Sequence, residues 1–154
     1  MKLIRLAFAI LLSCGAHFAL AETRPKLETL TKDLSEWLLS SKKSNLAHWQ
    51  YAYKDNRHYL QATSEVYGGG ELVYQLNAKA CIISIPHRFF DLHTYTIGKK
   101  LFNTHCQLIL SNTHHRYSDS LDEQLMDYSK RRDTLHNSAI LAFQSLHSSA
   151  KVIQ

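Results

Sequence analysis

Two short polar runs carry most of the chain's usable chemistry. His87, Arg88, Asp91 and His93 follow the apolar run Cys81–Pro86, and Asn112, His114, His115 and Arg116 follow the apolar run Cys106–Ser111. Imidazole and carboxylate together are zinc-ligating groups, and a catalytic zinc takes three protein ligands and leaves one position for a water whose pKa it lowers. His87, Asp91 and His93 fall within one turn, and a neighbouring strand end would add His114 or His115. Strand alternation turns one of that pair toward the cleft without saying which; the expected metal set is His87, Asp91 and His115. Arg116 and Arg88 suit a bidentate grip on a substrate carboxylate, with Asn112 adding a hydrogen bond. His105 and His147 read as surface residues. His136, near Asp133, reads as a helix-face residue that could also lean toward the site.

For these groups to meet, the two apolar runs must be parallel strands joined by a helix. Both are rich in β-branched residues, and the first stops at a proline. Thr94–Asn103 supplies the crossover helix, with Ile97, Leu101 and Phe102 available to face the sheet. Parallel strands joined this way end on the same edge, where open α/β sheets bind ligands.

Around this centre, Leu27, Leu30, Leu34, Trp37 and Leu38 recur at helical spacing and predict an amphipathic helix from about Pro25 to Leu46. Trp49, Tyr51, Tyr53 and Tyr59 read as an aromatic-rich connection. Leu60–Tyr67 and Leu72–Leu76, separated by Gly68-Gly69-Gly70, read as a hairpin. A long helix is expected from Ser120 to about His147, and Ala150–Gln154 opens a further strand. The predicted fold is α/β, a mostly parallel sheet with crossover helices, preceded by an amphipathic helix and a β-hairpin.

The chain has 154 residues, enough for one domain with a genuine core. Lys2 and Arg5 precede an apolar segment, Leu6–Leu20, and Ala19-Leu20-Ala21 offers small residues at a cleavage site, so residues 1–21 read as an export signal and residues 22–154 as the domain. The apolar segment is too short and too interrupted for a membrane span. Leu11-Leu12-Ser13-Cys14-Gly15 loosely matches a lipoprotein signal, with a lipid anchor at Cys14, but the Ala-Leu-Ala site fits at least as well. The expected location is the periplasm or outside the cell. Loss of Lys2 and Arg5 takes 18 basic residues to 16 against 13 acidic, and the net charge from +5 to +3. The longest basic run, Lys130-Arg131-Arg132, is expected on a solvated helix face, so nucleic acid is not an expected partner. Cys81 and Cys106 would remain. An oxidising compartment permits them to pair, although buried cysteines in parallel strands are more often separate small apolar residues.

Other chemistries lack their motifs. There is no G-x-S-x-G elbow, no G-x-x-x-x-G-K-[ST] and no G-x-G-x-x-G, and neither mature cysteine occupies a turn. The remaining pattern is a strand ending in Pro-His, an acid a few residues on, a helix, then a strand leading to Asn-Thr-x-His-Arg. It resembles the zinc-dependent hydrolases of the phosphorylase/hydrolase-like fold, which include the N-formylglutamate amidohydrolases and the zinc carboxypeptidases. The resemblance covers roughly Tyr74 to Gln154. It implies His87 as first zinc ligand, Asp91 as acidic ligand, and Asn112 with Arg116 as groups that bind a substrate carboxylate. In carboxypeptidase-like enzymes a later strand carries the final histidine and a later glutamate is the general base. The resemblance therefore implies either that His115 or His136 substitutes, or that the chain is a truncated relative with an incomplete site. Two functions are expected: an exported metal-dependent hydrolase cutting an amide bond near a carboxylate, or a non-catalytic exported binding protein that keeps the scaffold.

Overall fold

The structure, a computed structural model, describes residues 27–40, 49–62, 70–118, 127–132 and 134–154. The expected signal, Cys14 and the segment Ser120–Met126 lie outside the described residues. Among those described, no helix is long and apolar enough to cross a membrane.

The elements run α1 (Leu27–Ser40), β1 (Trp49–Lys54), β2 (Arg57–Ala62), β3 (Glu71–Tyr74), β4 (Lys79–Ile85), α2 (Thr94–Thr104), β5 (Cys106–Ser111), α3 (Leu135–Leu146) and β6 (Lys151–Ile153). The six strands form one mixed sheet in the order β1-β2-β3-β5-β4-β6. The expected parallel centre is present: β4 is parallel to β5 on one side and to β6 on the other. The sheet as a whole is not mostly parallel, however. β1, β2 and β3 form an antiparallel meander, and β3 is antiparallel to β5, so antiparallel pairings predominate. Tyr59 of the aromatic segment expected to be a connection lies on β2, and the rest of that segment is β1. Asp55 and Asn56, both at positive φ, make the two-residue turn that folds it onto β2.

Alternation along the central strands divides the core. Leu60, Leu72, Ile82, Leu108 and Leu110 face α1 and α3, where they meet Leu34, Trp37, Leu38, Ala139 and Phe143. Val73, Ile83, Ile85 and Ile109 face the other way, toward Phe102 of α2. Helix α2 begins and ends close to where its sequence predicts, but it turns Gly98 and Phe102 inward and leaves Ile97 59% exposed. A Cβ at Gly98 would lie 2.5 Å from Ile85 Cδ1, so the missing side chain is what lets α2 lie close to β4. Helix α3 starts only at Leu135, where Thr134 caps it by accepting a hydrogen bond from the Asn137 backbone N–H at 3.2 Å.

Cys81 and Cys106 are joined by a disulfide, with Cα atoms 4.9 Å apart. Separate thiols are therefore not what the fold contains. An irregularity in the β4–β5 register between Lys79 and Ile82 lies at Cys81, on the neighbouring strand from Cys106. Closing a loop of this length stabilises the fold by about 3–4 kcal/mol in the chain-entropy picture.

Candidate site at the ends of the parallel strands

The tips of β4 and β5 meet, because Ile85 is level with Ser111 in the parallel register. Asn112 holds the junction. It is fully buried; its Oδ1 accepts the Arg88 backbone N–H at 2.8 Å, and its Nδ2 donates to the His114 carbonyl. The residue expected to hold a substrate carboxylate thus spends both ends of its amide on the two turns.

The two arginines are also engaged. Arg88 donates to Glu71 at 3.1 Å and lies over the Tyr95 ring at 3.8 Å. Arg116 donates to Asp127 at 2.8 Å, and its guanidinium lies over Phe90 and Tyr117. The Arg116 Nε is buried and has no hydrogen-bond partner. Asp127 is 3% exposed; burial raises its pKa, but the hydroxyl and backbone N–H of Ser129, then Arg116 and His87, outweigh that and hold its carboxyl below the usual range.

The three residues expected to ligate a metal have different surroundings. His87 is half-buried and lies within electrostatic reach of Asp127 and His136. Asp91 is exposed, and its backbone N–H donates to the His87 carbonyl. His115 packs its ring against Phe90 and Tyr117, at 6.0 and 5.4 Å. Among the described residues no three His, Cys, Asp or Glu side chains gather as a metal ion requires.

What does converge is a second set. Ser84 is the one polar residue inside the apolar run of β4, on the same sheet face as Ile82, and its Oγ shares a 3.0 Å hydrogen bond with Nε2 of His136. His136 is 4% exposed rather than on a solvated helix face, with Tyr128 against its ring at 5.2 Å. Burial, and secondarily His87, push its pKa down to about 4. Both His87 and His136 retain a buried Nδ1 without a hydrogen-bond partner. Beside His136 is a cleft of about 350 Å³ lined by Ser84, Lys130, Arg131, Arg132, Asn137 and Gln154 among others.

Ser84, Asp127 and the basic run were not anticipated as site residues. For Ser84 a signal exists: a hydroxyl interrupting Ile-Ile-x-Ile needs a partner on the face it shares with the inward isoleucine. For the basic run there is none, because its neighbours suggest a helix where the chain instead turns. Compared with known proteins, the chain matches no family model, no curated protein and no solved structure.

Proposed function

We propose that this chain is an exported hydrolase-like protein that acts on an amide bond near a carboxylate, at the rim where β4 and β5 end. One observation carries the reading: His87 and His136 arrive at this rim from different elements and within each other's electrostatic reach, each with a buried Nδ1 that nothing in the fold satisfies. A buried polar atom left bare costs about 1–3 kcal/mol, and such a cost persists where a ligand completes the group. A neutral imidazole is also a group that takes a proton from an attacking water or returns one to a leaving amine. The disulfide supports export, since such bonds persist in oxidising compartments.

Zinc, implied by the resemblance, would supply an activated water, but the described residues do not assemble three ligands for it. No step is therefore assigned to a metal, and its place is decided by measurement. The metal-dependent form of this proposal requires about one equivalent of zinc per purified mature chain and a melting temperature that falls on chelation. Incubation of the mature protein with N-acyl amino acids should release the free amino acid, and His87→Ala should abolish that release while leaving the circular dichroism unchanged. No release from any acyl amino acid or short peptide, with or without added zinc, would eliminate hydrolysis.

A second reading, a non-catalytic binding protein on the same scaffold, is favoured by the internal engagement of Asn112, Arg88 and Arg116. Ligand-dependent stabilisation without turnover would select it.

A further inference from the structure

We propose that Ser84 is the nucleophile of this site and that His136 is the base that takes its proton. This rests on the hydrolase reading above and names the group that attacks the amide carbonyl.

The pair has the geometry that activates a hydroxyl. Ser84 Oγ and His136 Nε2 lie 3.0 Å apart, and both residues are 4% exposed. A nucleophile with a base inside hydrogen-bond reach is recognised by that arrangement and not by its place in a motif, so the missing G-x-S-x-G elbow does not bear on it. Burial keeps the ring unprotonated, the form that can accept a proton. Ser84 donates to Nε2 in the tautomer that carries the ring hydrogen on Nδ1, and Nδ1 is a buried atom without a hydrogen-bond partner among the described residues. For packing alone, two apolar side chains would serve as well and leave no bare nitrogen.

The register of the sheet gives a substrate access to the hydroxyl. β6 pairs with Cys81, Ile82 and Ile83, so Ser84 is the first residue of β4 past that pairing, and there it lines the cleft together with His136. A volume of about 350 Å³ suits a molecule of the size of an acyl amino acid. Helix α3 lines the same cleft through His136, Asn137 and Ile140, all near its amino end, which carries positive partial charge. Such an end suits the negative charge that develops on a carbonyl oxygen under attack.

The reaction balances with water as the only co-reactant. Ser84 Oγ bonds to the carbonyl carbon while its proton passes to Nε2; the C–N bond then breaks, and Nε2 gives that proton to the departing amine. Water attacks the resulting ester of Ser84 and loses a proton to Nε2, and the carboxylic acid departs as Oγ takes the proton back.

Phenylmethanesulfonyl fluoride, whose sulfur bonds to an activated hydroxyl as fluoride leaves, is the probe. Incubated with the mature protein, it should add a single phenylmethanesulfonyl group, and peptide mapping by mass spectrometry should place it on Ser84. Protein unfolded in urea should take up none there, because activation depends on the folded pair. His136→Gln keeps a hydrogen-bonding group beside Ser84 but removes the base, and should slow labelling about a hundredfold with circular dichroism unchanged. No adduct on the wild type, an adduct on another residue, or an equal labelling rate in His136→Gln would overturn the proposal. Turnover of N-acyl amino acids that survives in Ser84→Ala would overturn it too, while leaving the hydrolase reading intact. Labelling at Ser84 with no turnover of any acyl amino acid would uphold the nucleophile and remove the amide reading.

Discussion

His136 is held neutral by its surroundings, and the consequence is a defined pH dependence. In the folded chain its pKa is pushed down to about 4, whereas an unfolded histidine takes a proton near ~6.5. Below that higher value the unfolded state binds the extra proton and the folded state does not, so stability present above it falls as the pH drops toward 4. The loss is on the order of 3 kcal/mol. Urea midpoints of metal-free protein should fall across this window, and His136→Gln should flatten the fall. Asp127 acts in a lower window: its contribution is complete above the usual carboxylate range and is lost as the pH falls through that range toward its depressed folded value. At this scale the sequence was informative about residue type and silent about commitment. Asn112 and Arg116 have the right groups for a carboxylate, but whether those groups are already spent depends on residues such as Glu71 and Asp127 that meet them only in the fold.

Among the elements, α2 is the one whose packing rests on an absent side chain. Gly98 lets the helix approach Ile83 and Ile85, and a β-branched residue there would force both isoleucines to move. Gly98→Val should lower stability by about 1–3 kcal/mol, read as a shift in urea midpoint without change in its slope. The position of α2 was legible because it lies between two strands that end and begin sharply. Its buried face was legible only in part: Phe102 is buried as expected, but Ile97 and Leu101 are exposed and the close approach of the helix selects Gly98. The direction of the sheet was half legible for a related reason. A crossover helix between β4 and β5 implies parallel strands, whereas the aromatic flanks of the turn between β1 and β2 do not announce a strand.

For the whole molecule, the disulfide is the strongest single constraint on the unfolded chain. Cys81→Ala/Cys106→Ala, or treatment with a reductant, should lower the melting temperature by about 10 °C, from about 3 kcal/mol spread over a chain of this size. Scanning calorimetry with and without reductant measures it. The helices and most strands were legible as apolar patterns, but which sheet face each helix covers, α1 and α3 on one and α2 on the other, emerges only in the fold. The covalent bond was not, because two cysteines at strand starts meet only if the strands are neighbours in a suitable register, and here an irregularity lies at Cys81.

That bond joins the beginning of β4 to the beginning of β5 and so encloses α2 and both ends of the first polar turn in one covalent ring. The candidate site lies at the far side of this ring. Cleavage of the backbone at the exposed Phe89-Phe90 pair would open the loop but release neither half, since the sulfur bridge and the sheet would still retain both.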